Sequence, residues 1–120
     1  MLPRYFFQRD KRLLNQAGYS FVFDCARKLS TSYLTLLYRT SPAQHARLGL
    51  VIAKKSVKRS VGRNSIKRQA RETFRLHQHM LPPVDIVILS KRGITSPDPL
   101  LLRKELLYLW QKLIKSVASA

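Results

Sequence analysis

The sequence predicts one mixed α and β domain built on a single sheet, and three observations carry that prediction. At 120 residues the chain has room for one hydrophobic core and not two. Its composition, 45% hydrophobic and 24% charged, is that of a folded globule rather than a disordered chain. Two short apolar runs flank a long helical pattern, which is the signature of a parallel strand–helix–strand unit. No internal repeat, low-complexity tract or linker interrupts residues 1–120.

The first segment, Leu13 to Cys25, reads two ways. Phe21, Phe23 and Cys25 alternate as in a strand, whereas Tyr19 and Phe23, four apart with Val22 between them, suit a helix capped by Asn15. Propensity favours the strand. Tyr33 to Arg39 is a clearer strand, with Tyr33, Thr35, Leu37 and Arg39 on one face and Leu34, Leu36 and Tyr38 on the other; Ser41-Pro42 breaks it. Arg47 to Lys54 is apolar on both faces and β-branched near its centre, which suits an interior strand. Val57 to Met80 carries a helical signal that Leu81-Pro82-Pro83 stops. At about 100° per residue, Ile66, Ala70, Thr73, Phe74 and His77 share one arc, while Asn64, Lys67, Arg68, Arg71 and Arg75 share the next. One arc packs and its neighbour is basic. Val84 to Leu89 is a second apolar strand, and Ser96-Pro97 reads as N-cap and first turn of a last helix with a buried stripe of Leu102, Leu106, Leu109, Leu113 and Val117.

The charge narrows the function. Lys and Arg number 23 against six Asp and Glu, a net charge of +17, and self-repulsion of that size is expected where a polyanion supplies the counter-charge. A membrane is the weaker choice, because no apolar stretch approaches the ~20 residues that span a bilayer. The basic N-terminus lacks the apolar block of a secretory signal. A single cysteine, Cys25, forms no internal disulfide and reads as a small buried residue. Together these place the protein in the cytoplasm.

Catalytic machinery is missing. Asp10, Asp24, Glu72, Asp85, Asp98 and Glu105 are scattered singly, whereas hydrolysis of a phosphodiester by a protein usually needs clustered carboxylates around metal ions. His45, His77 and His79 have no metal-site spacing on a helix, and the glycines form no phosphate loop. The sequence therefore predicts no catalytic residue and no metal site on the protein. From Lys54 to Arg75, by contrast, nine basic residues (Lys54, Lys55, Lys58, Arg59, Arg63, Lys67, Arg68, Arg71, Arg75) face the single acid Glu72. A merely solvated helix face interleaves acids four residues from its bases; this one points to RNA or DNA, with arginine suited to forked phosphate contacts. Tyr19, Phe21, Phe23, Tyr33 and Tyr38 cluster early; most read as core, and one on a cleft face would suit stacking on an unpaired base.

Arg63-Asn64-Ser65-Ile66-Lys67-Arg68-Gln69-Ala70-Arg71-Glu72, preceded by Leu48 to Lys55 and followed by Val84 to Leu89 and Lys91-Arg92-Gly93, resembles the protein subunit of bacterial ribonuclease P. The likeness runs from about Arg12 to the final helix. It implies a single RNA-binding domain of α+β class: a mixed sheet of about four strands packed with helices in α-β-β-β-α-β-α order, a ribosomal-protein-like two-layer sandwich with a left-handed βαβ crossover. The first segment should then be helical, from about Asn15 to Asp24. It also implies a subunit of an endoribonuclease whose catalytic centre lies in a large RNA, which removes the 5′ leader of precursor tRNA with magnesium. The protein alone should be inactive and bind no cofactor of its own. The residues implied for gripping the catalytic RNA are Lys54, Lys55, Arg59, Arg63, Asn64, Lys67, Arg68, Arg71 and Arg75. Those implied for a leader cleft are Tyr19, Phe23, Tyr33, Thr35, Leu37 and Arg39; Leu37 stands where some family members carry an aromatic, so contact there is by shape. The implied partners are the catalytic RNA, in a 1:1 complex with a protein monomer, and precursor tRNA. A ribosomal or RNA-chaperone-like basic protein is the alternative, and would not stimulate tRNA 5′ processing.

Overall fold

The computed structural model describes residues 16–24, 26–91 and 98–118. Its elements run α1 (Gln16–Asp24), β1 (Arg27–Ser30), β2 (Leu34–Thr40), β3 (Arg47–Val51), α2 (Ser60–His77), β4 (Val84–Ser90) and α3 (Pro99–Ala118). This is the α-β-β-β-α-β-α order of the sequence resemblance. The strands form one sheet in the order β1-β2-β4-β3, antiparallel except for the parallel pair β3 and β4 that α2 connects.

Alternation decides which side of each strand is buried. Leu34, Leu36 and Tyr38 of β2, Ile86 and Ile88 of β4 and Leu48 of β3 meet Ile66, Ala70 and Phe74 of α2 and Leu102, Leu106, Leu109, Trp110 and Leu113 of α3 in the main core. The two helices are locked together by chemistry as well as area. Trp110 Nε1 donates to Thr73 Oγ1 at 2.9 Å, and Phe74 meets the Trp110 ring edge-on at 5.9 Å. Truncating such a buried Trp costs about 3–5 kcal/mol. On the other face α1 covers a smaller cluster, Val22 and Val87 with Tyr19, Phe21, Ala26, Leu37 and Leu89 around them.

Four expectations need correcting or placing. The segment Leu13 to Cys25 is not a strand: its described part is helical from Gln16, while Asn15 and Cys25 lie outside the described residues. β3 is an edge strand and not an interior one, and it ends at Val51. Its second apolar face is covered by a helix, since Tyr19 of α1 lies so close over Gly49 that an added Cβ would sit 2.7 Å from the ring. The central helix is shorter than Val57 to Met80, because Val57 is buried in the core from the preceding loop. Ser96 and Pro97 lie outside the described residues, and α3 instead begins at Pro99, with Asp98 Oδ1 accepting from Leu100 N at 3.0 Å. An acidic cap followed by proline is a favourable helix start.

Candidate nucleic-acid interface

The basic arc of α2 exists because the opposite side of the helix is spent on the core. Gly62, Ile66, Ala70, Thr73 and Phe74 are buried. Asn64, Arg68 and Arg71 are exposed and Lys67 is half-buried on the adjacent arc. His77, expected on the packing arc, is half-buried with Nδ1 2.8 Å from Thr73 O. Arg75 is diverted: it pairs with Glu72, which draws the Glu72 carboxyl below its ordinary range, burial opposing and the Arg75 and Arg103 charges reinforcing the effect.

The loop before α2 is fixed by its own hydrogen bonds. Ala53 O accepts from Ser56 N at 3.1 Å and from Val57 N at 3.0 Å, and Val57 anchors the turn in the core. Arg63 then reaches back, its Nη1 donating to Val57 O at 3.0 Å and Lys58 O at 2.8 Å. Of the predicted RNA-facing residues, Arg63 is therefore the one whose head group holds the loop, while Lys54, Lys55, Lys58 and Arg59 project from it exposed. No side chain caps the helix at Arg59 and no acid occupies its first turn, so the positive end of the helix dipole adds to the same field. Exposed cations thus occur both on the loop and on the helix that Arg63 ties to it.

The leader-cleft residues divide. Tyr19 is committed to the sheet edge, its hydroxyl accepting from Leu50 N at 3.1 Å and lying 3.5 Å from Leu50 O. Arg39 Nη1 donates to Phe21 O at 2.7 Å and its guanidinium stacks 3.8 Å from the Phe21 ring centre. Thr35, Leu37 and Arg39 lie on the α1 side of β2, as the alternation predicts. Tyr33 does not join them: it precedes β2, packs against the main core and donates its N–H to Glu105. Phe23 is 47% exposed, the open aromatic of α1.

One charged pair was not foreseen. Asp85 is fully buried in β4, between Arg39 and Arg47 in the sheet register, and Arg47 grips it with Nε at 2.7 Å and Nη2 at 2.5 Å. This pairing holds the Arg47 pKa above its usual value. The signal was an acid inside the run Val84 to Leu89, since a buried carboxylate demands a partner. Among the described residues, no three His, Cys, Asp or Glu side chains gather to hold a metal ion, and no helix is long and apolar enough to cross a membrane.

Known proteins match this chain closely. The Ribonuclease P family model covers residues 7–114. The ribonuclease P protein component of Cronobacter sakazakii is 46% identical over 106 residues, 88% of this chain and 89% of the relative. That of Yersinia enterocolitica is 45% identical over the same shares. Among solved structures, the ribonuclease P protein of Thermotoga maritima superposes with a TM-score of 0.70 at 27% identity, covering 84% of this chain and 96% of its own. The Staphylococcus aureus protein has the same fold, with a TM-score of 0.76 at 23% identity over 88% and 95% of the two chains.

Proposed function

The chain belongs to the bacterial ribonuclease P protein family, and from that premise we propose how it serves the complex. As a family member it is a subunit of a tRNA-processing endoribonuclease and a partner of the ribonuclease P RNA. In our reading the RNA performs the cut and the protein contributes affinity, charge and position. The single observation that carries this is the set of exposed cations shared by the 53–59 loop and the α2 arc, with only Glu72 between residues 54 and 75 to offset them.

Lys54, Lys55, Arg59, Lys67, Arg68 and Arg71 would neutralise phosphates of the RNA, with Asn64 as a hydrogen-bonding neighbour. Arg63 would keep the loop in the shape that presents those cations, and Arg75 would join when it leaves Glu72. Each phosphate so neutralised releases condensed counterions, so affinity falls steeply with salt. On the other face of the sheet, Phe23 with Thr35, Leu37 and Arg39 would meet the 5′ leader of precursor tRNA, favouring precursor over mature product. In this reading the magnesium that supplies the chemistry of hydrolysis is held by the RNA, and the protein's residues bind and position. A cytoplasmic monomer in a 1:1 complex completes the proposal.

The test is the salt dependence of binding to the ribonuclease P RNA. Arg71→Ala should weaken binding and lower the slope of log affinity against log salt by about one. An unchanged slope would remove α2 from the interface.

A further inference from the structure

The outer side of α3 has a composition that the core does not explain. At about 100° per residue, Leu101, Lys104, Tyr108, Lys112 and Lys115 fall within an arc of roughly 80°, turned away from the buried stripe of the helix. All five are exposed, Tyr108 by 49%. Lys112 Nζ donates to the Tyr108 hydroxyl at 3.1 Å and stands 5.5 Å from the ring centre, so ammonium and ring are held together beside a shallow groove. The one acid within Pro99–Ala118 is Glu105, and its carboxylate is occupied by Tyr33 N at 3.1 Å. Three cations and an aromatic therefore run about 17 Å along the helix axis with no acid among them.

We propose that this stripe is a second RNA-contact surface, on the same side of the sheet as the basic arc of α2 and occupied by the ribonuclease P RNA. The inference rests on the reading of α2 as RNA-facing. A second copy of the chain would bring the same cations to the contact and be repelled. A bilayer surface calls for a broad apolar face, and this stripe mixes its few apolar groups with lysines. A polyanion with exposed base faces fits both halves of the pattern: lysines for phosphates, Tyr108 for a stacked base. The placement selects which RNA. α2 and α3 lie side by side on one face of the sheet, with Arg103 on the flank of α3 turned toward α2 and the stripe facing outward beyond it, whereas Phe23 and the α1 side lie on the other face. The stripe thus shares its side of the sheet with the basic arc of α2 and not with the proposed leader cleft.

The experiment compares three variants of the full chain in salt titrations against the ribonuclease P RNA: Lys104→Ala/Lys112→Ala/Lys115→Ala together, Tyr108→Ala, and Arg71→Ala. Unchanged emission of the buried Trp110 certifies the fold of each. The triple variant should lower the salt slope by about two to three. Tyr108→Ala should weaken binding roughly tenfold with the slope intact. If Arg71→Ala lowers the slope and the α3 variants match the wild type, the α3 surface is refuted while the α2 reading stands; if none of the three changes it, both fall. A loss confined to leader-bearing precursor, or to vesicles of anionic lipid, would equally overturn the assignment to the RNA subunit.

Discussion

Gly49→Ala isolates the part of the molecule that positions α1. The added methyl would lie 2.7 Å from Tyr19 Cε1, 2.9 Å from Cζ and 3.0 Å from the hydroxyl oxygen, whereas carbon atoms in contact prefer about 3.5–4.0 Å. The ring must move by on the order of 1 Å, and that takes its hydroxyl from Leu50 N, now at 3.1 Å. One or two hydrogen bonds at about 1 kcal/mol each are lost, from a helix whose hydrophobic cluster is small. We expect a loss of about 1–2 kcal/mol, a fall in Tm of roughly 5–10 °C, and faster amide exchange in α1 than in α2 or α3. Discrimination between leader-bearing and mature tRNA should fall while affinity for the RNA subunit holds. The decisive control is Tyr19→Ala/Gly49→Ala. Without the ring, alanine at 49 should be neutral or slightly stabilising, because glycine in a strand costs about 0.5–1 kcal/mol relative to alanine. An equal penalty in both backgrounds would refute the account of why glycine stands there.

Other perturbations address the remaining contacts. Arg47→Ala leaves the fully buried Asp85 without its bidentate partner and should cost about 3–5 kcal/mol by chemical denaturation; a cost below 1 kcal/mol would show that the pair is not structural. Glu72→Gln removes the only acid of α2 and releases Arg75. Since the folded Glu72 carboxyl titrates below its usual value, its contribution is present above the unfolded carboxylate range and lost as pH falls through the folded pKa. Half-exposed, it is worth only a few tenths of a kcal/mol. The variant should therefore bind RNA with a steeper salt slope at almost unchanged stability, and a shallower slope would contradict the role of Arg75. Phe23→Ala should weaken precursor tRNA binding only when a leader is present; equal loss with mature tRNA would remove Phe23 from the cleft.

Much of the fold is legible in the sequence, for physical reasons that differ between elements. β2 alternates because one face meets the main core, and α2 and α3 show their buried stripes because each packs along one side. β3 misled for the opposite reason: an edge strand with a helix on one face and the core on the other looks apolar on both, like an interior strand. β1 is only Arg27–Ser30, too short for its alternation to register. Propensity alone misreads the first helix, since Phe21, Val22 and Phe23 favour strands, and the family resemblance is what assigns the helix that the structure shows over Gln16–Asp24. In the candidate interface the basic residues are read directly from the sequence, but not the contacts their head groups make. Nothing in the spacing of Arg63 says that its guanidinium turns back to Val57 O and Lys58 O, that Arg75 meets Glu72, or that Tyr33 leaves its strand face for the core.

The most direct measurement is reconstitution at low magnesium, with ribonuclease P RNA and precursor tRNA, in the presence and absence of the purified protein. Release of the 5′ leader should accelerate when protein joins the RNA and stay undetectable with protein alone. Cleavage by RNA-free protein, or a rate for the RNA that the protein leaves unaltered, would contradict the claim that these cations assist an RNA that cuts.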